Sequence, residues 1–286
     1  MSQMKIGKFQ VAGTLGQGAH STILHIRRSA DSKNYALKVV PIDEPEEKKY
    51  LEQARHEFEI ARKLDHPNLI KIYSLETQRD LLFRVKKVHL LIEYVNGKTL
   101  DTFPRLGVPK LVQIFAYVAA GLAHMHRRHI YHADLKPNNI LLSRAGDVKI
   151  IDYGLAWVKG ENKGRVQGTP EYMAPEQAKD RVVNEQTDIY NFGATMYRLV
   201  TWRKPPNALI EAAGGPLNAA TWKKRLEPVG HYAKDAPREL CDLIHRCLAF
   251  NPGDRFERVK DLIPTLESLV KSLVVTADDR LDAIEW

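Results

Sequence analysis

Asp134, Lys136 and Asn139 lie within six positions of one another in Tyr131-His132-Ala133-Asp134-Leu135-Lys136-Pro137-Asn138-Asn139. A second acidic motif, Asp152-Tyr153-Gly154, follows one short apolar run later. A carboxylate that can take a proton and an ammonium that can steady negative charge suit group transfer. Magnesium prefers a few oxygen ligands plus phosphate oxygens, which Asn139 and Asp152 can supply. Upstream, Gly16-Gln17-Gly18-Ala19-His20-Ser21 offers backbone N–H donors without side-chain obstruction, so the chain can come close to phosphates. In Tyr35-Ala36-Leu37-Lys38, strand alternation puts Ala36 and Lys38 on one face, the small residue leaving room for a flat ring. Lys38 needs a partner to hold it there. Glu57 is the candidate, because Glu59, two positions on, points from another helix face. Each motif alone also has a plain reading as a turn or a surface charge; their combination carries the argument.

Those residues must be positioned by two kinds of structure. Alternating or apolar runs at Phe9–Leu15, Thr22–Arg28, Tyr35–Val40, Leu69–Leu75 and Val88–Tyr94 predict strands, and Glu46–Leu64 has helical periodicity. Beyond Asn96-Gly97-Lys98 the pattern turns helical, at Pro109–His129, Thr187–Thr201, Arg238–Phe250 and Val259–Leu273. A strand rather than a helix follows the glycine-rich turn, which rejects a dinucleotide-binding fingerprint. The short strands Ile140–Leu142 and Val148–Ile151 present Asp134, Asn139 and Asp152 together.

Composition bounds the rest. The chain has 286 residues, 44% hydrophobic and 27% charged, enough for one large domain or two lobes. No apolar run approaches the roughly 20 residues that cross a bilayer, and MSQMKIGKFQ lacks a signal-peptide core, so a cytoplasmic location with no membrane segment is expected. The net charge of +8 is spread over scattered basic pairs, which reads as a solvated surface and not a nucleic-acid site. Cys241 and Cys247 sit six apart in a helical stretch and are expected to be buried thiols, not a disulfide or, with His245, a zinc site. His124, His126, His129 and His132 do not share one helix face, which argues against a metal there too.

Taken in order, these motifs resemble the eukaryotic-type (Hanks-type) protein kinase family, from about Phe9 to about Leu273. Ala174-Pro175-Glu176, Asp188 and Asn251-Pro252-Gly253-Asp254-Arg255 extend the likeness, and Gly168–Gln177 is similar to bacterial serine/threonine kinases. The resemblance implies an α+β fold: a five-stranded antiparallel sheet lobe with one helix (1–95), a mainly helical lobe (96–274) and an acidic tail (275–286), with ATP bound between the lobes. It implies that Asp134 accepts the substrate hydroxyl proton, Lys136 steadies the transferring group, and Asn139 and Asp152 hold Mg2+, with Mn2+ as an alternative. Lys38, fixed by Glu57, would grip phosphates. The glycine-rich loop, Leu15, Gly16, Gln17, Gly18, Ala19, His20, Ser21, Thr22 and Ile23, would cover them. Backbone groups of Glu93 and Val95 would bind adenine behind Ile92. Lys136 with Gly168-Thr169 implies protein substrates bearing serine or threonine. A small-molecule kinase is disfavoured by Gly168–Glu176, and a pseudokinase scaffold is the main alternative.

Some positions depart from the family pattern. Ser21 replaces the third glycine, Tyr153 replaces phenylalanine, and Ala61 is small where a larger residue packs the helix. Ala133 stands where phosphorylation-regulated relatives carry arginine, and LAWVKGENKGRVQ, between Gly154 and Gly168, contains no serine, threonine or tyrosine. Receiver and acceptor are missing together, so activity is expected not to require activation-loop phosphorylation.

Overall fold

A computed structural model describes residues 5–18, 20–42, 48–160, 167–180, 182–207, 218–284 and 286. It divides into two compact units: 1–65, 69–96 and 152–154 form the first, and 66–68, 97–151 and 155–286 form the second.

The first unit is an antiparallel sheet with one helix. Its strands are β1 (Lys5–Ile6), β2 (Phe9–Gly18), β3 (Ser21–Arg28), β4 (Asn34–Pro41), β5 (Ile72–Arg79) and β6 (Val85–Glu93), in the order β1-β2-β3-β4-β6-β5. The expected five strands are joined by the two-residue β1, which the alternation rule has too few residues to detect. Strand β5 begins at Ile72 where Leu69 was expected, because Asn68, two positions before Ile70, is bonded into the second unit. Helix α1 (Lys48–Ala61) buries Ala54, Glu57, Ile60 and Ala61. The expected helix start at Glu46 lies outside the described residues.

The second unit is built on α2 (Val108–His126) and α4 (Glu185–Thr201). Helix α2 starts with Pro109 in its first turn, where a missing N–H is harmless. Among the described residues it is the one helix long and apolar enough by length and composition to cross a bilayer, and it is largely buried in this unit, as a core helix is. Helix α4 is opened by Asn184, whose side-chain oxygen accepts from Thr187 N at 3.1 Å while Thr187 Oγ1 accepts from Asn184 N at 3.2 Å. Gly193 lets Cys247 approach, since a Cβ there would lie 2.6 Å from the Cys247 Cβ. Cys247 is buried as expected, whereas Cys241 is only partly so, because it lies off the buried face formed by Leu240, Leu243, Ile244 and Cys247.

Short strands carry the polar loops: β7 (Gly97–Thr99), β9 (Ile140–Ser143) and β10 (Val148–Ile150) form one sheet, and β8 (Ile130–Tyr131) pairs with β11 (Trp157–Val158). Gly97 is required in β7, because a Cβ would meet the Leu142 carbonyl oxygen at 2.1 Å. Helices α3 (Pro175–Lys179), α5 (Ala219–Arg225), α6 (Val229–Tyr232), α7 (Arg238–Cys247) and α8 (Ile263–Leu273) complete the unit. The expected helix from Val259 begins as a tight turn over Val259–Leu262 and becomes α-helical at Ile263. The tail packs on this unit: Leu281 is buried, Asp279 O accepts from Gln113 Nε2 at 2.6 Å, and Trp286 meets Phe103 edge-on.

The division departs from a cut at residue 95 for a visible reason. Asn68 donates to Val148 O and its carbonyl accepts from Ile150 N, so 66–68 belong with the second unit. Tyr153 donates from its hydroxyl to Ile70 O at 3.0 Å, so 152–154 belong with the first.

Candidate active site

In the first unit, β4 pairs with β3 and β6 so that Lys38 lies opposite Ile23 and Leu90, and Ala36 opposite Ile92. Lys38 Nζ donates to Glu57 Oε2 at 2.8 Å. The rival Glu59 instead meets Arg62 on the surface at 3.3 Å. Burial works against a charged Lys38, but the carboxylates of Glu57 and Asp152 outweigh it and hold the ammonium protonated. Burial and the like charge of Asp152 push the Glu57 carboxyl up, against the pull of Lys38. Lys38 is thus bonded to Glu57, with the charge of Asp152 adding to the pull on its ammonium. Asp152 holds a left-handed backbone (φ 68), and Gly154 N donates to its Oδ1 at 3.1 Å.

The glycine-rich hairpin runs through β2 and β3 with Gly16 opposite Ile23, Gln17 opposite Thr22 and Gly18 opposite Ser21. Leu15 is 49% exposed, so this strand leaves the core before the turn. Ser21 Oγ sits where a Gly18 Cβ would come within 3.0 Å, so the serine in place of the third glycine is tolerated because Gly18 is retained. His20 stacks on Tyr50 of α1 with centroids 4.1 Å apart. Ala19 lies outside the described residues. Glu93 ends β6, its N–H taken by Lys71 O at 2.9 Å, and Val95 follows two positions on, before β7.

In the second unit Lys136, Asn139 and Thr169 converge on Asp134. Its Oδ2 accepts from Lys136 Nζ at 2.7 Å and its Oδ1 from Thr169 N at 2.7 Å, and Lys136 Nζ also donates to Thr169 Oγ1 at 2.6 Å. Asn139 Nδ2 donates to the Asp134 carbonyl at 2.9 Å, which fixes the amide with its nitrogen inward and leaves its oxygen as the candidate metal donor. Ala133 is left-handed (φ 64), a conformation that disfavours a Cβ by roughly 1–2 kcal/mol. Buried Asp188 of α4 offsets this: Oδ2 accepts from His132 N at 2.7 Å and Oδ1 from Ala133 N at 2.8 Å.

His126 also meets Asp188 Oδ2, through Nε2 at 2.7 Å, and its Nδ1 lies 3.1 Å from Glu185 Oε1 as an ion-pair contact without hydrogen-bond alignment. Burial would lower its pKa, but the two carboxylates outweigh that and raise it to about 9. His132 is buried with Nε2 3.3 Å from Ile151 O, and His124 packs near His66. His129 is exposed.

Sequence reasoning gave no role to Gln177, although it follows Ala174-Pro175-Glu176 directly. Its Nε2 donates to Ala133 O at 2.8 Å and to Gln167 O at 2.9 Å, tying the returning segment to the loop. Gly168 (φ 137) has no space for a Cβ, which would fall 2.9 Å from that Gln177 nitrogen. Below this, Arg255 grips Glu176 with both ends of its guanidinium, at 2.8 and 2.9 Å, and donates to the carbonyls of Gln186, Ala249 and Phe250. Thr187 Oγ1 adds a further bond to Glu176.

A small antiparallel sheet with a strand lysine held by a helix glutamate, and a helical unit whose loop gathers aspartate, lysine and asparagine, are the parts of the protein kinase fold. The chain belongs to the protein kinase domain family, which matches residues 9–264. Members of that family use ATP and a divalent metal ion. Similar proteins are mostly bacterial serine/threonine kinases. The chain is 27% identical over 267 residues to serine/threonine-protein kinase PrkC of Bacillus subtilis, covering 90% of this chain and 39% of the relative. It is 30% identical over 266 residues to serine/threonine-protein kinase PksC of Streptomyces coelicolor, covering 87% and 47%. It is 31% identical over 207 residues to serine/threonine-protein kinase AtPK2/AtPK19 of Arabidopsis thaliana, covering 70% and 42%. The chain thus spans less than half the length of these relatives.

Proposed function

We propose that this domain transfers the γ-phosphoryl group of ATP to serine or threonine hydroxyls of proteins. The observation that carries the reading is the Asp134 carboxylate, oriented at one oxygen by Thr169 N and at the other by Lys136 Nζ. Each of those oxygens keeps lone-pair capacity for a substrate hydroxyl. Asp134 takes the hydroxyl proton as that oxygen bonds to the γ-phosphorus and the bond to the β–γ bridging oxygen breaks, releasing ADP. Lys136 steadies the charge spread over the transferring group. The first unit's share is to hold nucleotide: Lys38 at the phosphates, the Leu15–Ile23 hairpin over them, Ala36 beside the adenine ring, and backbone groups of Glu93 and Val95 at its edge. Asn139 and Asp152 would hold the metal ion, and their oxygen chemistry fits Mg2+. When bound, that ion neutralises phosphate charge. Positioning and fixed electrostatics lower the barrier.

Phosphorylation of the activation loop is not needed in this reading. What supports this is that Gln167 and Thr169 bond to Gln177, Asp134 and Lys136, and that Ala133 brings no cation for a phosphate to neutralise. Residues 161–166 of that loop lie outside the described residues. Phosphatase treatment should leave turnover within about twofold; loss of most of it would refute this part.

The assay is transfer of labelled γ-phosphate to casein, with Asp134→Asn alongside. The variant should lose about 10²–10⁴-fold in kcat while still binding nucleotide. An unmodified chain that binds ATP and labels nothing would move the domain to a scaffold role.

A further inference from the structure

The turn between β5 and β6 carries three consecutive large apolar side chains in water: Leu81, Leu82 and Phe83 are 98%, 68% and 78% exposed. So much exposure leaves little of them against the first unit's core, and packing does not account for them. The turn that holds them is closed by hydrogen bonds. Asp80 Oδ1 accepts from Leu82 N and Arg84 N, both at 2.9 Å, and Asp80 O accepts from Phe83 N at 3.0 Å. Arg79 Nη1 donates to Phe83 O at 2.9 Å, and Phe83 itself is left-handed (φ 60).

Charge next to the tip is mainly cationic, with the exposed carboxylate of Glu76 farther down β5. The carboxylate of Asp80 is engaged inside the turn, while Arg79, Arg84 and Lys87 are exposed and Lys86 is half-exposed. The result is a hydrogen-bonded turn, apolar at its tip and cationic at its rim. A protein partner would need a matching socket for such a tip. A second copy of this chain would bring two cationic rims together. A lipid bilayer accepts a protruding apolar tip without a socket, and anionic headgroups complement the rim.

We propose that the β5–β6 hairpin is a membrane-docking tip, with Leu81, Leu82 and Phe83 entering the headgroup–acyl boundary of an anionic bilayer and Arg79, Arg84 and Lys87 taking its headgroup charges. This is peripheral attachment through a turn, independent of any membrane span and of the phosphotransfer reading.

The test is co-sedimentation of the whole chain with vesicles of phosphatidylcholine alone or mixed with phosphatidylserine. Binding to the anionic vesicles should be about tenfold or more tighter than to the neutral ones. The double variant Leu82→Asp, Phe83→Asp should lose about tenfold or more in that binding, and Arg84→Gln with Lys87→Gln should lose several-fold together with most of the salt dependence. Thermal unfolding and casein labelling of these variants should match the unmodified chain, since none of the four residues belongs to the catalytic or nucleotide machinery. As a second readout, Phe83→Trp should gain a blue-shifted emission component on adding anionic vesicles. The proposal is overturned if the chain stays in solution with both vesicle types. It is equally overturned if the double aspartate variant sediments like the unmodified chain, which would mean that a basic protein adsorbs by charge alone.

Discussion

The two units hold their reactive groups in contrasting ways. In the first, Lys38 is positioned by one ion pair to α1, beside a helix residue, Ala61, that brings little volume to the packing. In the second, the strained backbone at Ala133 is bonded from both sides, by Asp188 at its N–H and Gln177 at its carbonyl, and the neighbouring platform is gripped by Arg255. One group is held by a single contact that a helix displacement would break. The other is held by bonds whose loss would unfold part of the core before it altered the geometry. The contrast predicts that removing a brace around Ala133 reads out as stability and that removing the partner of Lys38 reads out as activity.

Asp188→Ala should show the largest effect on stability, because it strands two backbone N–H groups and the charged His126 in a buried place. About 3–5 kcal/mol of destabilisation is expected in urea unfolding. A loss below about 1 kcal/mol would end the view of Asp188 as the brace.

His126 gives a pH signature for the same brace. Its folded pKa of about 9 stands above the ordinary 6.5, so its contribution is whole below about pH 6.5 and fades as pH rises through about 9. The difference amounts to at most about 3 kcal/mol. His126→Asn should therefore flatten the fall in stability between these pH values; an unchanged slope would show that the His126 cation does not contribute.

Glu57→Gln tests the other side of the comparison. It keeps an oxygen acceptor for Lys38 but removes the charge, so phosphotransfer to casein should drop about tenfold or more while stability changes by about 1 kcal/mol or less. A large stability loss with normal turnover would erase the contrast between the units.

Tyr153→Phe is the smallest change. It removes the hydroxyl bond to Ile70 O and should cost about 1 kcal/mol in thermal or urea unfolding. A neutral result would mean that the ring alone holds 152–154 to the first unit.

The grouping of Asp134, Lys136 and Asn139, and the pairing of Lys38 with Glu57, could be anticipated from sequence, and both are seen in the fold. Strand alternation put Ala36 and Lys38 on one face, and helical spacing singled out Glu57 over Glu59; local periodicity is enough for both choices. The periodicity also placed the main strands and helices, with errors at ends such as Leu69 and Val259, where a turn or a long-range bond takes over from the local pattern.

Other features depended on residues far apart in sequence. Nothing local to Gln177 says that it joins Ala133 to Gln167, and nothing local to His126 says that Asp188 and Glu185 will charge it. The assignment of 66–68 to one unit and 152–154 to the other follows from Asn68 meeting Val148 and Tyr153 meeting Ile70, pairs about 80 residues apart. Sequence fixes which side chains can react and the repeat that orients them within an element. Only the folded chain decides which distant donors and acceptors leave water together, and that pairing sets the braces, the shifted proton affinities and the borders between units.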